Sequence, residues 1–169
     1  PRDRRPEIAD AALALIAEEG LRGLTHRAID RRLDAPLGTT GNYFSTREAL
    51  LAATAERMLD LDRAVIDGRG TPPDLDLAGV ARLLAATVVH LGGADLDRYL
   101  VRMELVLESR RRGLFAAERS DARRAFLVLV GDLLAGAGIA APLDHAGPVL
   151  ALVDGLVLDR VLFGGVGVD

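Results

Sequence analysis

Residues 25–48 read Thr25-His-Arg-Ala-Ile-Asp-Arg-Arg-Leu-Asp-Ala-Pro-Leu-Gly-Thr-Thr-Gly-Asn-Tyr-Phe-Ser-Thr-Arg-Glu48, and this stretch decides the fold. Thr25 suits the N-cap of a short helix that carries Ala28, Ile29 and Leu33 inward. Asp34, Ala35 and Pro36 stop that helix, because the residue before a proline is pushed out of the α region. A second helix of under three turns, rich in small polar residues, is expected over residues 37–44. Ser45-Thr46-Arg47-Glu48 has the S-x-x-E form of a capping box and opens a third helix. Such an arrangement can hold one exposed helix at an angle suited to the DNA major groove.

Upstream, Pro6 fits a first helical turn, where its missing N–H costs little. From it Ile8, Ala12, Leu15 and Ile16 share one face until Gly20 and Gly23 end the helix. Downstream, the helix begun at the capping box continues through Leu50, Leu51, Met58 and Leu59 to about residue 66. Residues 67–74 (Asp-Gly-Arg-Gly-Thr-Pro-Pro-Asp) read as a loop. Further helices are expected over residues 75–91, 95–112, 114–135 and 145–163, the last capped by Asp144. That start leaves Pro148 at the fourth helical position, where no intrahelical donor is lost. The expected class is all-α: an N-terminal three-helix helix-turn-helix domain over residues 1–48 and a C-terminal helical domain over residues 49–169, bridged by the fourth helix.

A chain of 169 residues can build one good core, or a small module joined to a larger helical one. Half the residues are hydrophobic and only 4% are aromatic, so the core must come from Leu, Val, Ile and Ala. The mean hydropathy of +0.21 implies more apolar surface than a small helical chain hides alone, and points to a partner chain, a greasy ligand, or both. The last two helices sharpen this: Phe126-Leu-Val-Leu-Val130 and residues 150–158 are apolar nearly all round. A second copy of the same surface is the simplest cover, giving a homodimer with a two-fold four-helix contact through the last two helices. The competing account is a central helix covered wholly by its own chain. No membrane role is expected: Asp154, Asp159 and Arg160 interrupt the most apolar run, at roughly 2.5–3.5 kcal/mol each near a bilayer centre.

Net charge is −4, and the first fifty residues carry eight Arg against eight acids, so nucleic-acid binding must rest on where the arginines point. No cysteine is present, which removes disulfides, thiolate nucleophiles and Cys-ligated metals and fits a cytoplasmic setting. His26, His90 and His145 form no H-E-x-x-H or E-x-x-H pair, and neither a G-x-S-x-G elbow nor a phosphate-cradling Gly loop occurs. No catalytic residue, metal or cofactor is therefore expected. The remaining rivals to DNA binding are a dimeric interaction protein and a small-molecule-binding bundle.

Residues 6–58 resemble the DNA-binding domain of TetR-family transcriptional regulators. The resemblance lies in Ile8-Ala-Asp-Ala-Ala-Leu, Glu19-Gly20, Thr25, Ile29, Gly38-Thr-Thr-Gly-Asn-Tyr-Phe and Ser45-Thr-Arg-Glu-Ala-Leu. It implies an all-α homodimer, usually a repressor, whose affinity for double-stranded DNA falls when a small molecule enters the C-terminal domain. Two residues depart from the family pattern. Asp34 replaces a turn glycine, and Gly41 stands where a large residue is frequent; the first tolerates left-handed backbone and the second weakens its helix. The chain is also shorter than most members, so terminal segments are expected to be missing.

By this resemblance Thr39, Thr40, Asn42 and Tyr43 lie on or beside the groove-facing side of the third helix. Asn can pair bidentately with adenine, and Thr offers a hydroxyl to base edges or a methyl to thymine. Gly38 and Gly41 let backbone approach DNA closely, and Tyr43 is a phosphate contact, with core packing as its competing account. Thr25, His26 and Arg27 at one helix start and Arg47 at another are expected to meet phosphates, helped by free N–H groups and the helix dipole. Arg2, Arg4 and Arg5 read equally as a groove-reaching arm or an ordinary charged tail. An unknown small apolar ligand is expected among the fourth to seventh helices, lined by Met58, Val88, Leu91, Tyr99, Met103, Leu107 and Phe126, each of which also suits plain core.

Overall fold

The computed structural model describes the backbone of residues 3–69, 75–114 and 116–164, and the side chains of these except 66–69, 116–120 and 122. Every regular element among the described residues is an α-helix: α1 Arg5–Gly23, α2 His26–Arg32, α3 Thr39–Tyr43, α4 Arg47–Arg69, α5 Leu77–Leu91, α6 Leu96–Arg112, α7 Ala116–Gly136 and α8 Pro142–Phe163. The all-α class and the order of elements are as expected. No single described helix is long and apolar enough to cross a membrane.

Several boundaries moved for local reasons. In α1, Gly20 takes φ 68°, ψ −177°, a backbone region essentially reserved for glycine, so the helix breaks there and resumes for one short turn. The α4 cap is Thr46, not Ser45: its hydroxyl accepts from the Ala49 amide at 3.1 Å, one residue later than the capping-box reading. Helix α4 runs on through Arg69, past the expected stop at residue 66, and residues 70–74 of the expected loop lie outside the described residues. The last helix starts at Pro142 behind a left-handed Ala141, which puts Asp144 in the first turn instead of at the cap. Pro148 therefore sits inside the helix, where it removes one ladder donor.

The chain forms two compact units. The first comprises Pro1–Asp62 with Leu100–Arg119, the second Arg63–Tyr99 with Ser120–Asp169. This grouping differs from the division expected at residue 48: α4 up to Asp62 and most of α6 pack with the N-terminal helices. The core of the first unit joins Ile8, Ala12, Leu15 and Ile16 of α1, Ala28 and Ile29 of α2, Phe44, Leu50, Leu51 and Met58, and also Val101 and Leu105 of α6. Fully burying each Ile or Leu of this set contributes about 1.5–3 kcal/mol. Charged forks brace the outside: Arg32 donates to both Glu18 oxygens at 2.7 and 2.8 Å, and Arg57 to Asp10 at 2.6 and 3.1 Å. The second unit has its own core of Val80 from α5, Val130 and Leu134 from α7 and Ala146 from α8.

Candidate nucleic-acid interface

The α2–turn–α3 segment is held by one buried carboxylate. Thr25 caps α2 as expected, its hydroxyl accepting from the Ala28 amide at 3.1 Å. Asp34 takes φ 48°, the left-handed geometry foreseen for it, and Gly38 precedes α3 with φ 91°. Between these, Asp30 lies 1% exposed on the inward side of α2. It accepts the Gly38 amide at 2.7 Å, the Thr40 amide at 2.8 Å and the Thr40 hydroxyl at 2.6 Å. Burial pushes this carboxyl up, but the bonds from the Thr40 hydroxyl, the Thr40 amide and the Gly38 amide, with His26 nearby, outweigh it and hold the group below its ordinary value. An anion at the start of α3 also meets the positive end of the helix. Asp30 thus fixes a five-residue helix that could not persist by itself.

With α3 so fixed, the expected contact residues separate into three groups. Thr25, Arg27, Gly38 and Asn42 are exposed, and the Asn42 side chain takes no hydrogen bond from any neighbour among the described residues. Half-buried are His26, Thr39, Gly41, Tyr43 and Arg47. Thr40 is fully buried against Asp30, so it faces the interior and not the groove side. Thr39 turns its hydroxyl back to the Pro36 carbonyl at 2.6 Å. Tyr43 packs partly on the core, and the Arg5 guanidinium stands 5.5 Å from its ring centroid. Arg4 pairs with Glu7 and Arg5 with Asp3, while Arg2 lies outside the described residues.

Two residues expected at phosphates hold the fold together. His26 Nε2 is 2.6 Å from the Phe44 carbonyl oxygen, which only accepts, so Nε2 is the donor and ties α2 to the end of α3. Arg47 donates through Nη2 to the Leu21 carbonyl at 2.6 Å and through Nη1 to the Leu24 carbonyl. It thereby binds the start of α4 to the α1–α2 connection. Asp30, which organises the site, was absent from the sequence reading. Its signal was there: an acid beside inward Ile29, followed by a turn whose amides need an acceptor.

The expected ligand-lining residues fall in both units. In the first, Met58 is core, Met103 half-buried and Leu107 52% exposed. In the second, Val88 and Tyr99 are buried, Leu91 and Phe126 half-buried, and the Tyr99 hydroxyl lies 3.4 Å from the Asp154 carbonyl. Helix α8 exposes a stripe of Ala151, Leu152, Gly155, Leu158 and Leu162 at helical spacing, with Asp159 its one charge. The exposed side of α7 is more mixed, carrying Asp121 and Asp132 around Val128. Among the described residues no group of three or more His, Asp or Glu is arranged to hold a metal ion.

A family model described as "Tetracyclin repressor-like, C-terminal domain" matches residues 75–169. The chain is similar to the HTH-type transcriptional regulator BetI of Burkholderia thailandensis, 28% identical over 166 residues, covering 96% of this chain and 84% of that one. Among solved structures it is similar to the putative transcriptional regulator SCO7518 of Streptomyces coelicolor A3(2), with 30% identity, a TM-score of 0.74 and coverage of 95% and 88%. It is also similar to the multidrug binding protein EbrR in complex with ethidium, with 27% identity, a TM-score of 0.73 and coverage of 96% and 89%. Capped α2, left-handed turn, an α3 that exposes Asn42, and a C-terminal helical region matched over more than half the chain together give the conclusion: this chain belongs to the TetR family of DNA-binding transcriptional regulators.

Proposed function

We propose that the protein is a ligand-inducible repressor that acts as a homodimer on palindromic double-stranded DNA in the cytoplasm. The observation that carries this is Asn42: an exposed amide on a helix whose pose is fixed from behind by Asp30. An amide so placed can read adenine bidentately. Thr39, Gly41 and Tyr43 flank it on α3, and Gly38 brings backbone close at its start. Thr25 and Arg27 meet the phosphates beside it. Arg47 and His26 join this set chiefly by holding the starts of α4 and α2 in place, and Thr40 by anchoring α3. Residues 1–48 are the DNA-reading part and residues 49–169 the ligand-binding and dimerisation part, with α4 the bridge.

Dimerisation through the last two helices is supported by the apolar α8 stripe, which needs a cover. Two-fold symmetry then sets two α3 helices about 34–36 Å apart, on half-sites roughly 10–10.5 bp from centre to centre. The ligand is a small, mostly apolar molecule taken up by the C-terminal part, where Val88, Leu91, Tyr99 and Phe126 of the second unit are the proposed lining; Met58, built into the first core, and the exposed Leu107 leave that set. Support comes from a relative that is a multidrug binding protein crystallised with ethidium. For such a molecule to act as inducer it must bind the DNA-free form more tightly than the DNA-bound form. Footprinting on the DNA upstream of the protein's own gene tests the reading: a two-fold symmetric protected region is expected, and uniform, sequence-independent protection at every concentration would refute it.

A further inference from the structure

Glu104 lies on α6, 83 residues from the backbone group it binds: its Oε2 accepts the Leu21 amide at 3.0 Å. That amide follows the Gly20 break in α1, where the helical hydrogen-bond pattern is interrupted. Both Glu104 oxygens also approach Gly20, lying 3.7 and 3.8 Å from where a Cβ would stand. Val101, three residues before Glu104, and Leu105, four after Val101, are built into the core of the first unit. Helix α6 therefore supplies apolar anchorage beside the carboxylate.

The carbonyl of that same Leu21 is held by Arg47, which also holds the Leu24 carbonyl. The α1–α2 connection is thus gripped from two elements, its N–H side by an α6 carboxylate and its C=O side by an α4 guanidinium. One residue past Leu24, Thr25 begins α2, and Asp30 of α2 sets α3. We propose that Glu104 is a positioning residue for DNA recognition: by holding the Leu21 amide it fixes the angle at which α1 hands over to α2 and α3. This rests on the DNA-reading role proposed above. It makes α6, through Glu104, a second hold on this connection beside the one α4 supplies through Arg47.

Comparing Glu104→Gln with Glu104→Met in the full-length protein isolates the hydrogen bond, since both remove the charge and only Gln keeps an acceptor of the same reach. Loss of one acidic charge alone predicts that both variants bind DNA alike and slightly more tightly than the parent. Loss of positioning predicts that Met binds pool-selected DNA about tenfold more weakly than Gln, and that amide exchange at Leu21 and Arg22 is about tenfold faster in Met. Urea midpoints report overall stability separately, and if the Met variant does not fold, Glu104→Asp, one methylene short of the amide, takes its place. Equal DNA affinity of the two variants overturns the inference. If the parent selects no sequence, the DNA reading fails, and Leu21 exchange then decides alone: unchanged protection overturns the grip, faster exchange sustains it.

Discussion

Asp30 accepts both the amide and the hydroxyl of Thr40, at 2.8 and 2.6 Å, inside a site where neither residue is open to solvent. Hydrogen bonds to a charged group in such surroundings contribute about 1.5–3 kcal/mol each. They matter here because α3 has only five residues and no other side chain capping it. Thr40→Val keeps the shape and drops the hydroxyl. It is expected to cost about 1.5–3 kcal/mol in urea unfolding and to weaken specific DNA binding, although the residue is buried.

Asp30 also sets a pH dependence. Its carboxyl is held below the ordinary carboxylate value, so its contribution is complete above the unfolded value of about 3.9 and is lost as pH falls through the lower folded value. Asp30→Asn cannot titrate. The variant should be less stable by about 1–3 kcal/mol at neutral pH, and the gap from the parent should narrow below about pH 4. Parallel unfolding curves at pH 7 and pH 3.5 check this.

Asn42 has the opposite character, being exposed and outside the packing. Asn42→Ala should leave stability within about 0.5 kcal/mol. It should cost about 1–3 kcal/mol in binding to a selected site and relax preference at one base pair per half-site. Binding measured against a panel of single-base variants separates this from a general loss.

The two glycines of the reading segment should respond differently. Gly38 sits at φ 91°, so Gly38→Ala is expected to cost about 1–2 kcal/mol of stability whatever the space around it. Gly41 lies within α3 with nothing within 4 Å of an added Cβ, so Gly41→Ala should stabilise by about 0.5–1 kcal/mol. If backbone approaches DNA there, that more stable variant binds DNA more weakly. Thermal unfolding and gel shift on the same samples read both signs.

On α8, Leu152 and Leu162 are 61% and 65% exposed on the apolar stripe. If this stripe is the proposed dimer contact, replacing both by Glu should raise the dimer dissociation constant about a hundredfold or more, since each Leu buried in an interface contributes about 1.5–3 kcal/mol. Sedimentation at several concentrations measures this.

Much of the fold was legible because its signals are local. Thr25, Pro6 and Asp34 each act within four residues, and the structure has them capping, starting and turning as read. The capping-box reading put the α4 cap at Ser45, but Thr46 beside it carries an equally capable hydroxyl, and the structure uses that one. What was not legible depends on partners distant in sequence. Thr40 reads as a groove residue until Asp30, ten residues earlier, is found to hold it. Arg47 reads as a phosphate contact until carbonyls 23 and 26 residues away take its guanidinium. Nothing near Glu104 in the sequence announces Leu21 as its partner.

Sequencing the DNA that the full-length protein retains from a random pool bears on base reading, two-fold symmetry and spacing at once. The account predicts an inverted repeat with half-site centres about 10–10.5 bp apart, and loss of one conserved base pair per half-site when Asn42→Ala is used. Retained DNA with no shared motif, or the same motif from parent and variant, would contradict it.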